Sequence, residues 1–266
     1  MTTDPIRAAL SREPAGLPAR LLGTASVAWP AEGALPGLPG FIESRFNPLV
    51  KTVSDRCLAG AAPDGLGVSG DHTAVVLVTG FGDVTTTDLA SRRLAAGQAN
   101  NPLLFYQSVP TSVLGVVTRD HRIRGPVTCL SVEDSRSAAA AFETVGLLLA
   151  EEGVHRLLLI GVELAASPRT RAALAARGSS PGPEAGGDAA VALLLGRYGS
   201  SPGTADVSID LMAQEYHSAE AAAEDDPLHG VGALAAAARR VLDGAPTAVG
   251  VITPGGPGLR LHRSGR

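Results

Sequence analysis

The chain has 266 residues and a net charge of −4; 45% of it is hydrophobic, 18% charged and only 3% aromatic. That composition suits one large or two small globular units with a core of Ala, Val and Leu, which demands close helix–sheet packing. Lys and Arg do not cluster, so nothing points to a nucleic-acid partner. No run reaches the ~18–20 apolar residues of a membrane span, and Cys57 and Cys129 make neither a disulfide framework nor a zinc site.

In chain order, residues 1–20 read as a loose arm. The segment MTTDPIRAALSREP lacks the basic and apolar regions of a signal peptide, so a reducing cytoplasm is the expected location. Leu21–Trp29 reads as a strand. Asn47 can cap a helix with Pro48 at its first position, running to about Leu58. Pro63–Asp71 is a Gly-rich loop. Thr73–Thr79 (TAVVLVT) is apolar and β-branched, the pattern of a strand covered on both faces. Thr85–Ala96 is a helix with Arg92 and Arg93 near its end and Gly97 as the stop. Asn101 opens a loop, and Pro110–Arg119 is a helix entered through a proline.

Val127–Val132 reads as a buried strand after the Gly125-Pro126 turn. Ser135–Glu152 is the strongest helix, with Ala138, Phe142, Val145 and Leu149 at helical spacing. Gly153 ends it. Arg156–Leu164 (RLLLIGVEL) is another buried strand, Pro168–Arg177 a short helix, and Gly178–Gly187 a flexible loop or hinge. Ala189–Leu195 is a strand. Beyond it the elements thin out. Ala205–Met212 is a strand, Val231–Leu242 an Ala-rich helix, and Val249–Thr253 with Leu259–His262 a hairpin across PGGPG.

Alternating strands and helices argue for a layered α/β fold. Residues 21–197 make a complete first half, and 198–266 a truncated second half that repeats its topology: both end in a long helix followed by two strands. The two halves form one compact unit.

The stretch from Asn101 to Ala138 closely resembles the nucleophile region of the β-ketoacyl synthases. Leu104-Phe105, Ser108-Val109-Pro110 and Gly115 are similar to that family's Phe…Ser-Val-Pro…Gly segment. Arg124-Gly125-Pro126 is similar to its Arg-Gly-Pro, and Leu158–Gly161 to the strand after its nucleophile helix. Gly187-Asp188-Ala189-Ala190 resembles its Gly-Glu-Gly-Ala entry to a strand. Each piece is short; their order and spacing carry the likeness.

The resemblance implies a thiolase-like αβαβα fold, two halves about a pseudo-dyad, here with a reduced C-terminal half. It departs from the family at two places. Counting from Gly125-Pro126, the reactive cysteine's position falls on Asp134. The second half also lacks room for the His-Gly-Thr-Gly-Thr motif and the usual Lys. Both features resemble chain length factors of type II polyketide synthases, above all those beside polyene-forming systems. Such a subunit is implied to be inactive alone. It pairs with an active ketosynthase and meets acyl carrier protein, and the pair performs decarboxylative Claisen condensation without a cofactor or metal. Phe105, Tyr106, Leu114 and Phe142 are candidates to line its acyl tunnel, and equally plainly are ordinary core. In the family, the strand after Gly-Pro pairs across the dimer, so Val127, Cys129 and Val132 are the implied dimer-strand residues. A scaffold that docks carrier protein without setting chain length, and a repurposed acyl transferase or hydrolase, are the other readings.

The site residues also read on their own chemistry. A cysteine at a helix start is activated by the dipole and free N–H groups. A carboxylate there is only stabilised, by ~0.3–1 kcal/mol, and Asp134 is a poor acyl acceptor whose charge repels a malonyl carboxylate. As a plain residue it is an N-cap. His229 precedes the last helix in a His-x-x-Gly-Ala context that resembles the family's catalytic histidine. Pseudo-symmetry would set it beside Asp134 as an ion pair; otherwise it is a surface cap. His217 is either a remnant of the second family histidine or a loop residue. Cys129, inside an apolar strand, is expected to be a buried, inert thiol. Ser108 and Ser135 have no evident base partner. Gly80-Phe81-Gly82 lacks the spacing of a phosphate-binding turn.

Overall fold

The computed structural model describes residues 19–30, 33–61, 70–99, 101–132, 135–164, 167–176, 187–197, 207–212, 231–243, 245, 247–251 and 258–263. In chain order the elements are β1 (Ala19–Trp29), α1 (Phe46–Gly60), β2 (Thr73–Thr79), α2 (Val84–Ala95), α3 (Pro102–Ser108) and α4 (Pro110–Asp120). There follow β3 (Val127–Ser131), α5 (Ser135–Ala150), β4 (Arg156–Leu164), α6 (Pro168–Ala176) and β5 (Asp188–Arg197). The last elements are β6 (Val207–Met212), α7 (Val231–Leu242), β7 (Thr247–Val251) and β8 (Gly258–Arg263).

The strands form one sheet in the order β3-β2-β4-β5-β1-β6-β8-β7. β2 is parallel to both β3 and β4; β5 is antiparallel to β4 and β1. The strand sequences explain why the centre of this sheet is covered on both sides. Along β2, Ala74, Val76 and Val78 belong to one apolar cluster and Val75 and Leu77 to the other. β4 and β5 divide in the same way, Leu157 and Leu159 against Leu158 and Ile160, and Leu193 and Leu195 against Ala192 and Leu194. A pleat with period 2 sends alternate residues to opposite faces, so a continuous apolar run needs helices on both.

One face is covered by α1 and α4, through Leu49, Val53, Val113 and Leu114 among others. The other is covered by α5 and α7, through Phe142, Val145, Leu234 and Val241 among others. Each fully buried Leu, Val or Phe contributes ~1.5–3 kcal/mol of transfer free energy. Glycine lets α7 come close: a Cβ on Gly161 of β4 would stand 2.8 Å from Val231 Cβ.

The second half is joined to the first at a corner. β6 pairs with β1 only at Ala19–Ile209 and Arg20–Ser208, at the start of β1. α7 packs against β1, β4 and β5 on one side of this join and against β6, β7 and β8 on the other. This is the layered α/β arrangement expected from the sequence.

Several local expectations are corrected. β1 begins at Ala19, inside the segment read as a loose arm. Helix α1 opens at Phe46, with Arg45 in the cap position. Asn47 is not its cap: it is fully buried, and its Nδ2 donates to Ser44 Oγ at 2.7 Å and to the Gln107 carbonyl at 2.9 Å. The segment read as a loop after Asn101 holds α3, because Asn101 caps it with its own side chain, accepting from Leu103 N–H at 3.0 Å, and Pro102 fits the first turn. β3 is not buried. Among the described residues it lies at the sheet edge with β2 as its one strand neighbour, and its residues are half-buried or exposed. Most of the Gly-rich loops and the PGGPG tract lie outside the described residues.

Candidate functional site

The carboxyl ends of the parallel strands β2, β3 and β4 gather at one end of the sheet, with α2, α5 and α6 opening after them. In α/β sheets this is the end where ligands bind. Helix α5 begins there at Ser135. Asp134 and His229, the suggested pair, lie outside the described residues, as does His217.

What stands at this end is Glu163, which the sequence reading did not single out. It is 1% exposed near the end of β4. Its Oε2 accepts from Gly80 N–H at 2.7 Å and Phe81 N–H at 3.4 Å, and its Oε1 from Leu164 N–H at 3.3 Å. Gly82 N–H donates instead to Thr79 Oγ1 at 3.0 Å, with Gly82 at a φ of +64° that suits glycine. The Gly80–Gly82 turn therefore does collect N–H groups around an anion, but the anion is the protein's own carboxylate. These donors are not available to a phosphate. One acid in the run RLLLIGVEL was the signal, since a lone carboxylate in a two-sided apolar strand needs buried partners.

Asp83 continues this structure into α2. It is 1% exposed and caps the helix by accepting from Thr86 N–H at 3.1 Å. It also accepts from Thr85 Oγ1 at 2.6 Å, Thr86 Oγ1 at 2.7 Å and Asn47 Nδ2 at 3.4 Å. Asn47 in turn holds the carbonyl of Gln107 at the end of α3. The starts of α1 and α2 and the end of α3 are thus tied by buried polar groups, which fixes α3 on the surface.

α3 presents apolar side chains outward. Phe105 is 73% exposed and Tyr106 47%, and nearby Ile42 is 87% exposed. Tyr106 packs on Phe41 with ring centroids 5.4 Å apart. Beside them a cleft of about 640 Å³ opens between Trp29, Leu35, Leu38, Phe41 and Arg45. Its guanidinium, 4.8 Å above the Trp29 ring, is answered by the buried Asp188 carboxylate at 2.9 Å.

The four candidate tunnel residues are not brought together within this chain. Phe105 and Tyr106 are on the surface, whereas Leu114 and Phe142 are buried on opposite faces of the sheet. The dimer-strand candidates also separate. Pro126 carbonyl accepts from Val75 N–H, and Val132 N–H donates to Thr79 carbonyl, so even-numbered residues of β3 bond inward to β2. Val127, Cys129 and Ser131 consequently turn their backbone groups to the open edge, while Val132 is 1% exposed and tied to β2. Cys129 is half-buried rather than buried, and burial still pushes its thiol up to about 11. Cys57, fully buried, is pushed to about 12 by burial, against the lowering effect of a backbone hydrogen bond from Leu194. Neither is a thiolate near neutrality.

No protein-family model matches the chain, and no curated protein does. Solved structures do. One is a ketosynthase (ApeO) in complex with its chain length factor (ApeC) from Xenorhabdus doucetiae, matched at 17% identity and a TM-score of 0.56 over 86% of this chain and 83% of that one. The chain has the ketosynthase fold. Two further structures agree. The ishigamide ketosynthase/chain length factor matches at 16% identity and a TM-score of 0.53, over 85% of this chain and 73% of that one. A β-ketoacyl synthase from Burkholderia phymatum STM815 matches at 15% and 0.53, over 82% and 68%. Within the ketosynthase fold, α5 follows the Gly-Pro-led strand β3 and packs against β2, β4 and β5. Among the described residues no three His, Cys, Asp or Glu side chains gather as a metal site, and no helix is long and apolar enough to cross a membrane.

Proposed function

We propose that this chain is a chain length factor type of ketosynthase-like subunit. It is inactive alone and pairs with an active ketosynthase in type II polyketide synthesis, with a polyene as the favoured product class. The observation that carries the reading is Asp134 at the position where the sequence likeness puts the nucleophile, in a chain with the ketosynthase fold. A carboxylate there accepts no acyl group from a thioester under the family's chemistry, so the condensation would belong to the partner. The partner would supply the cysteine and histidines, and carrier protein would bring the acyl and malonyl thioesters.

The surface supports the pairing. Among the described residues β3 offers a row of unpaired backbone groups at Val127, Cys129 and Ser131, an arrangement that invites a second strand. α3 adds exposed Phe105 and Tyr106. Aromatic side chains of this kind are enriched in protein interfaces. Phe105 and Tyr106 would then reach the acyl tunnel from the partner's side, whereas Leu114 and Phe142 would shape it only through the core.

Co-expression with the ketosynthase encoded beside the chain tests this directly. A stable one-to-one complex is expected. A well-behaved homodimer that ignores the ketosynthase would replace the reading with a stand-alone binding protein, and turnover of simple acyl thioesters by the lone chain would replace it with an enzyme.

A further inference from the structure

Two histidines stand at the other end of the sheet. His72 closes a short turn ahead of β2, and His155 immediately precedes β4. β2 and β4 are parallel neighbours with Thr73 opposite Arg156, so the two strand starts hold the histidines side by side. Both are exposed, and their rings lie face to face with centroids 4.5 Å apart and planes at 24°. The backbone beneath them is fixed. His155 N–H donates to His72 carbonyl at 2.9 Å, and Arg197 N–H donates to His155 carbonyl at 2.9 Å.

His72 Nδ1 lies 3.1 Å from the Gly153 carbonyl oxygen. A carbonyl only accepts, so this contact places the proton on Nδ1 and leaves the Nε2 lone pair free. Histidines that bind metals are commonly set up this way, with the second ring nitrogen donating to a carbonyl that fixes tautomer and orientation. The ring nitrogens of His155 hydrogen-bond to no described residue. The χ2 torsion of histidine is broad, so the rings can open from the stack and converge their lone pairs while the backbone stays in place.

We propose that His72 and His155 form a surface bis-histidine site for a late first-row divalent cation, the class Ni²⁺, Cu²⁺ and Zn²⁺ that imidazole suits. The two imidazoles are the protein ligands and water completes the coordination, since no third His, Cys, Asp or Glu gathers there among the described residues. The bound ion would clip together the starts of β2 and β4. β2 has 7 residues, at ~3.3 Å each a length of ~23 Å, which separates the site from the Gly80–Gly82 turn and the start of α5.

The test uses untagged full-length protein titrated with NiCl₂ and CuCl₂ by calorimetry. One equivalent is expected to bind, and acid should weaken it, because imidazole holds a metal only through a deprotonated nitrogen. His72→Gln and His155→Gln should each weaken binding at least ten-fold while melting as the wild type does in EDTA. Nickel, being paramagnetic, should broaden the amide signals of residues 71–73 and 153–156 in wild-type protein first. No uptake, binding that survives either substitution, or broadening centred on another histidine would overturn the proposal. The broadening readout needs no variant, so the test stands even if a substitution disturbs folding.

Discussion

Glu163 shows how one residue can organise the end of a sheet. Its buried carboxylate receives three backbone N–H groups, two of them from the turn that follows β2. Hydrogen bonds to a charged acceptor are worth ~1.5–3 kcal/mol, and a buried donor left unmade costs ~1–3 kcal/mol. Glu163→Gln keeps an acceptor oxygen and should cost about 1 kcal/mol; Glu163→Leu strands the donors and should cost about 3 kcal/mol. Urea unfolding of the two variants checks this, and a Gln variant no more stable than the Leu variant would discard the cradle as the reason for the residue. Asp83 is the same kind of residue at the start of α2, a cap that also belongs to a buried network. The sequence marked neither, because a carboxylate in isolation does not reveal which N–H groups will surround it.

Between elements, packing and charge set the contacts. Gly161 lets α7 lie against β4, and the Cβ of an alanine would meet Val231. Gly161→Ala should destabilise by ~1–3 kcal/mol, the usual cost of overpacking. Adding Val231→Ala should recover part of that loss, and thermal melts of the two singles and the double would show the coupling; strict additivity would place the strain elsewhere. α1 and α4 are tied at the surface by charge. Lys51 pairs with Asp55 and Asp120, and His121 Nε2 lies 2.7 Å from Asp55. The Arg119 guanidinium, against an opposing effect of burial and with help from Lys51, holds the Asp120 carboxyl below its ordinary 3.8. A carboxyl lowered on folding lends stability that is complete above its unfolded pKa and is lost as pH falls through the folded one. Asp120→Asn should therefore flatten the fall in stability below about pH 4 and leave its pH dependence near neutrality unchanged. Denaturant midpoints from pH 2 to 7 give the answer, and an unaltered acid limb would remove this carboxylate from the account. At the sheet edge, Ser131 turns its N–H outward, so proline there sacrifices no bond to β2. Ser131→Pro, like Phe105→Ala on α3, should leave the chain folded and reduce the amount of ketosynthase that co-purifies. Undiminished recovery with both changes would place the pairing surface elsewhere.

At the scale of the molecule, most of the layered α/β fold was legible because the pattern is two-sided. TAVVLVT and RLLLIGVEL have no polar face, so helices had to cover both sides of those strands; the runs at Ser135–Glu152 and Val231–Leu242 cover one side, and the helices after Arg45 and Val109 cover the other. The order of Gly-Pro turn, strand and long helix also carries the ketosynthase likeness in the sequence. Other features depended on contacts distant in sequence. Whether β3 is covered or open rests on what lies beyond it, which its five residues do not encode. Leu114 and Phe142 both read as apolar helix positions, but the sheet passes between them. Asn47 looks like a helix cap until α2 and α3 bring Asp83 and Gln107 to it. The sequence by itself determined most of the elements, the two-faced burial of β2 and β4 and the Asp at position 134, since these follow from local periodicity and residue identity. Only the tertiary structure decided which acids are cradled, which histidines meet and which strand is left at the edge, because each depends on backbone groups and side chains brought together from distant parts of the chain.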